Sequence, residues 1–157
     1  MTVAAIDPGS SSGVALFDQE GLWDVFLLKG DAPEQSQELH RYLREELAAG
    51  GWFSCAVVEI PQIYDRRKWK GDPNDLIKVA VTAGALAGTF FRRTGSIEFV
   101  KPATWKGSRP KEIDNEFTLS LLTPDELLRF ERAKAPKSKR HNLIDAIGIG
   151  LWKLKRR

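Results

Sequence analysis

Within its first ten residues the chain carries a short β-forming run, Val3-Ala4-Ala5-Ile6, that ends in a carboxylate at Asp7 and is cut off by Pro8-Gly9. A strand that must stop there leaves Asp7 at its carboxyl-terminal lip, where open α/β sheets bind their ligands. An Asp in that position also stabilises its own turn, so the run alone does not distinguish a site from a turn. What matters is whether other acids reach the same edge. The form recurs at Cys55-Ala56-Val57-Val58-Glu59, a second apolar run that ends in an acid and has Pro61 just beyond.

Between the two runs, Gly13 to Asp18 and Leu22 to Leu28 read as strands joined by tight turns, which favours an antiparallel meander. The period then changes: Leu39, Tyr42, Leu43 and Leu47 recur at helical spacing after Asp31-Ala32-Pro33, and Gly50-Gly51 stops that helix. A second helix is expected with Asn74 or Asp75 as its cap and an apolar stripe from Leu76 through Val79, Ala83 and Leu86 to Phe90. On it, Gly84 and Gly88 leave room for another backbone, either the sheet, which is the expected partner, or a second subunit. Ile97 to Val100 is a fifth strand, followed by a basic loop from Thr104 to Lys111 and helices from about Lys111, Thr123 and Arg140. The expected fold class is α/β: one domain over residues 1–157, with a five-stranded mixed sheet flanked by helices. The first and fourth strands then lie side by side, and Asp7 meets Glu59.

The last helix offers a third acid. Leu143-Ile144-Asp145-Ala146-Ile147-Gly148-Ile149 is apolar nearly all round, and a buried unpaired carboxylate costs several kcal/mol. Asp145 must face a cleft or a positive partner. His141 lies about 40° and Asn142 about 60° from it around the helix. Three carboxylates at one edge suit hard cations, Mg²⁺ with Mn²⁺ as substitute, and two such ions about 4 Å apart activate water and stabilise a leaving oxygen in phosphodiester hydrolysis. A structural zinc is disfavoured by a single Cys and only two His.

Charge is distributed unevenly along the chain. Through residue 60 there are 3 Lys/Arg against 10 Asp/Glu, and from residue 61 onward 21 against 11. The basic part includes a loop bearing Tyr64, Arg66, Arg67, Lys68 and Trp69, then Lys101, Lys106 and Lys111, then Lys139 and Arg140. Such a surface suits a polyanionic partner, nucleic acid first, while charge alone fits a solvated, solubilising face equally well. No run approaches the roughly 20 apolar residues of a membrane span, and the amino terminus lacks the pattern of a signal peptide. With one cysteine, a reducing, cytoplasmic setting is expected.

The order Ile6-Asp7-Pro8-Gly9, Val58-Glu59 and Asp145-Ala146-Ile147-Gly148-Ile149 resembles the RuvC-type Holliday-junction resolvases of the RNase H-like superfamily. Asn74-Asp75-Leu76 through Gly84 resembles the helix after that family's second acid, and Trp105-Lys106-Gly107 with His141-Asn142-Leu143-Ile144-Asp145 resembles its bacteriophage branch. The resemblance implies an RNase H-like fold and a homodimer that nicks four-way DNA junctions, leaving 5′-phosphate and 3′-hydroxyl ends. It implies a pair of Mg²⁺ ions with Asp7 bridging them and Glu59 and Asp145 each completing one site. The family's fourth ligand falls on Asn142, with His141 adjacent, and its lysines at the scissile phosphate fall on Lys101 and Lys111, Lys111 being the catalytic candidate. The aromatic wedge expected three residues after the second acid is absent, since Gln62 stands there, which leaves Tyr64 or Trp69.

Two alternatives remain open at this point. An RNA–DNA hybrid nuclease shares the fold and the acids, and a non-catalytic branched-DNA-binding module would carry them as vestiges. An ASKHA-type ATPase also opens on an acid-Gly turn but needs two such domains, and 157 residues supply one.

Overall fold

The computed structural model describes residues 1–47, 51–62 and 72–157. Strands β1 (Val3–Asp7), β2 (Ser11–Phe17) and β3 (Leu22–Lys29) form an antiparallel meander, and β4 (Cys55–Glu59) and β5 (Ile97–Val100) extend the sheet in parallel. The order β3-β2-β1-β4-β5 is the mixed five-stranded sheet expected, with β1 at its centre.

Helices α1 (Ala32–Glu46) and α2 (Pro73–Thr89) cover one face, burying Leu39, Leu43, Ala83, Leu86 and Phe90 against Ile6, Leu16 and Val58. The other face is covered by α6 (Arg140–Lys153), with α3 (Pro102–Trp105), α4 (Lys111–Ser120) and α5 (Pro124–Arg132) around it. Each strand of the central pair is therefore apolar on both sides, as a sheet between two helical layers requires. Cys55 is a free, buried core residue.

The local signals act as their chemistry dictates. Asp31 and Glu34 form a reciprocal capping box at α1, and Thr123 and Glu126 form another at α5. Three expectations change. The cap of α2 is Asp72, which accepts from the Asn74 backbone N–H at 2.9 Å; Pro73 takes the first helical position, for which its fixed φ and missing N–H suit it. The segment after β5 is not all loop, because Pro102 nucleates the single turn of α3. Third, Gly84 and Gly88 do not meet the sheet: both are exposed, and a Cβ built on either has no neighbour within 4 Å among the described residues. They share an outward face with Ile77, Val81 and Phe91, which are 60%, 58% and 76% exposed.

Small residues set the depth of α6. A Cβ at Gly13 on β2 would overlap the Asn142 carbonyl, and one at Gly150 would overlap the Phe17 ring. Only glycine allows helix and sheet to approach so closely at these two crossings. The helix is consequently held down along β1 and β2, with Leu143, Ile147 and Leu151 fully buried. No helix among the described residues is long and apolar enough to cross a membrane.

Candidate active site

β1 and β4 run in parallel with Ile6 opposite Val58, so the residues that follow, Asp7 and Glu59, emerge together at one edge. The turn behind Asp7 is braced: the Ser12 hydroxyl accepts from the Gly9 N–H at 3.1 Å, and the buried Gln35 amide donates to the Gly9 and Gly30 carbonyls, both at 2.9 Å. Asp145 reaches the same edge from α6. Burial, then the charges of Glu59 and Asp145, push the Asp7 carboxyl well above the usual range, opposed by Lys106 and Lys111. Burial also raises Glu59 to about 7, with Asp145 adding to the rise and a hydrogen bond from Trp105 and the charge of Lys106 working against it. The three acids sequence reasoning singled out thus share one electrostatic neighbourhood.

They do not converge on a single point. Among the described residues no group of three or more His, Cys, Asp or Glu side chains stands ready to hold one ion. The outer acids are engaged by consecutive residues at the end of α3. Trp105 Nε1 donates to Glu59 Oε2 at 2.5 Å, and Lys106 Nζ donates to Asp145 Oδ1 at 2.8 Å. Asp145 therefore has both things its buried helix demanded, a polar edge and a positive partner. Chemically the donors suit a hard divalent cation: they are oxygen ligands, and burial together with the charges of Glu59 and Asp145 raises the affinity of Asp7 for positive charge.

The remaining candidates separate. His141 lies one turn before Asp145 on α6; burial and then Lys111 lower its pKa, while Asp145 works to raise it. Asn142 instead donates its side-chain amide to the Ser11 carbonyl at 2.6 Å, tying α6 to β2. Lys101 and Lys111 are exposed, and Lys111 acts electrostatically on both Asp7 and His141. Lys106 is turned inward between Asp145 and Asp114, so contact with DNA would first require that pairing to open. Arg140 lies over the Phe130 ring at 4.5 Å and donates to the Phe130 carbonyl, a structural engagement; Lys139 acts electrostatically on His141. Tyr64, Arg66, Arg67, Lys68 and Trp69 lie outside the described residues.

Sequence reasoning missed Asp114 and Arg157. Asp114 is 1% exposed and pairs with Arg157, whose guanidinium also donates to Thr118 Oγ1 at 2.5 Å and lies 5.0 Å from the centre of the Trp105 ring. Gly148 makes room for both: a Cβ there would stand 2.7 Å from Trp105 and 2.8 Å from Arg157. The apolar flank of α4 gives no hint that Asp114 faces inward. Only the need for a partner to a buried Arg would have found it.

A groove of about 700 Å³ begins at Gly9 and Ser10, just past Asp7, and runs between Asp31-Ala32-Pro33 and the Ile77–Val81 face of α2.

No protein-family model matches the chain, nor does any curated protein. Solved structures do. Thermus thermophilus RuvC, seen in complex with a Holliday junction substrate, matches with a TM-score of 0.64 at 22% identity, covering 97% of this chain and 92% of its own. Another Thermus thermophilus RuvC structure matches with a TM-score of 0.53 at 24% identity over the same shares. The yeast mitochondrial Holliday junction resolvase Ydc2 matches with a TM-score of 0.52 at 12% identity, covering 98% of this chain and 79% of its own. From β1 to α6 the chain has the fold of the RuvC-type Holliday-junction resolvases.

Proposed function

We propose that this protein is a divalent-metal-dependent endonuclease that cuts branched DNA, four-way junctions above all. The observation that carries the reading is the edge shared by Asp7 on β1, Glu59 on β4 and Asp145 on α6, where burial and the neighbouring carboxylates raise the Asp7 and Glu59 carboxyls. Asp7 is the central ligand, Glu59 and Asp145 the outer ones, and His141 the fourth, since the Asn142 amide is spent on β2. Bound cations would supply water activation and charge neutralisation at the phosphate. Lys111, exposed and close enough to act on Asp7, offsets charge that develops on the phosphate, and Lys101 and Lys139 hold the strand through its backbone.

The dimer belongs to the same reading. The outward face of α2 is self-complementary in an antiparallel two-fold pairing centred on Gly84, which brings Ile77 of each copy opposite Phe91 of the other. The open space at Gly84 and Gly88 lets the two helices approach.

The test is nicking of a synthetic four-way junction with Mg²⁺ or Mn²⁺, alongside an RNA–DNA hybrid duplex. The wild-type protein is expected to nick the junction and spare the hybrid, and Asp7→Asn to bind the junction without cutting it. Full cleavage by Asp7→Asn would sink the mechanism. One observation favours a second reading, a non-catalytic binder: Glu59 and Asp145 are already engaged by Trp105 and Lys106. Such a protein would show no Mn²⁺-dependent rise in melting temperature.

A further inference from the structure

Trp105 and Lys106 are adjacent in the chain, yet they treat the two outer acids in opposite ways. The Trp105 ring is 4% exposed and is held in place by Gly148 and the Arg157 guanidinium, so its N–H meets Glu59 Oε2 from a rigid base. A neutral donor on one carboxylate oxygen orients the group and leaves its charge available to a cation. Lys106 is a cation itself. Its ammonium sits 2.8 Å from Asp145 Oδ1, in direct competition with any metal that uses Asp145.

What distinguishes Lys106 from an ordinary ion-pair partner is a second seat. Asp114 Oδ2 stands 3.8 Å from the same ammonium, and the ammonium lies 5.2 Å from the centre of the Trp105 ring. A lysine displaced from Asp145 need not cross into solvent, because rotation of its flexible stem brings it onto a second buried carboxylate. Asp114 remains anchored by Arg157 and by Arg109 at 3.4 Å whichever seat Lys106 takes.

Resting on the metal-site reading above, we propose that Lys106 is a built-in counter-ion, a positioning residue that neutralises Asp145 when no metal does and moves to Asp114 when a divalent cation arrives. Trp105 is its fixed counterpart, which aims Glu59 in both states. The two neighbours therefore affect metal affinity with opposite signs. Removing the charge of Lys106 removes both a competitor for Asp145 and a like charge beside the metal.

The experiment is calorimetric titration of the full chain with Mn²⁺ at pH 8, with melting temperature as the check on folding. Lys106→Gln and Lys106→Met are expected to bind Mn²⁺ about fivefold more tightly, the equilibrium factor of an ion pair worth about 1 kcal/mol. Lys106→Arg keeps the charge and stays at or below wild-type affinity. Trp105→Phe keeps an aromatic side chain but loses the donor, and weakens binding by about tenfold, the lower end for groups that orient metal ligands. Neutral Lys106 variants that fold but bind no more tightly, or Lys106→Arg that tightens equally, would overturn the proposal. Loss of the metal-site reading itself looks different: the wild-type protein then takes up no Mn²⁺, and Asp7→Asn changes nothing.

Discussion

The raised Glu59 makes a prediction about folding that needs no substrate. Its carboxyl moves from an ordinary 4.5 to about 7, chiefly through burial. Between those values the folded state holds a proton that the unfolded chain releases, so stability must fall as pH rises through this window and level off above it. A shift of about 2.5 units at 1.36 kcal/mol per unit bounds the effect at about 3 kcal/mol, and partial exposure of the side chain lowers it to about 2 kcal/mol. For a chain of this length that is a melting-temperature difference of about 4–8 °C between pH 5 and pH 8. His141 acts in the opposite sense over part of the range, because its lowered pKa costs stability as pH falls below 6.5. The useful comparison is therefore wild type against Glu59→Gln, which leaves His141 in place. Urea denaturation of metal-free protein at half-unit pH steps gives both curves. The wild-type curve is expected to drop relative to the variant by about 2 kcal/mol from pH 4.5 to 7.5, and saturating Mn²⁺ at pH 8 to stabilise the wild type by more than the variant. Parallel curves would show that Glu59 is not held out of water against the other acids, and the electrostatic argument for the site would fail with them.

Gly150→Ala places a methyl into the Phe17 ring and should cost about 1–3 kcal/mol in urea denaturation, because helix and strand must separate. Val81→Asp, at an exposed position, should leave the melting temperature of the monomer within a few degrees while converting the proposed dimer to monomer in sedimentation. Lys111→Gln should lower the rate of junction nicking by about 100-fold, in line with loss of one preorganised charge at a reacting phosphate, with junction affinity changed by less than tenfold.

The strands and the acids that end them were legible because both signals are local. A β-forming run, an acid and a Pro within a few residues define a lip wherever the strand lies, and parallel pairing of β1 and β4 then follows from the intervening helix. Asp145 was legible for a different reason: a charge in a helix with no polar face demands an explanation. The partners of these acids were less accessible. Trp105 and Lys106 were visible as a motif, but their targets lie 46 and 39 residues away, and nothing local says which residue turns inward. Lys106 reads as one more cation on a basic loop until α3 forms and points it at Asp145. The outward glycines of α2 were misread because small residues signal close approach without naming the partner. The solvent-facing Ile77 and Val81 on the same face, rather than the glycines, carry that information.

The position of β1 has a consequence for how rigidly the three acids are held. It is the middle strand, hydrogen-bonded to β2 on one side and β4 on the other, with helices over both faces. Its amides are expected to exchange only through global unfolding, which makes the backbone that carries Asp7 among the most rigid in the fold. Glu59 and Asp145 stand on other elements, and each is steered by a side chain from the single turn of α3. Hydrogen exchange should accordingly rank β1 among the last segments to open. The central acid is a fixed reference point, and in the proposed site adjustment to a cation falls to Asp145, whose partner Lys106 is the mobile one.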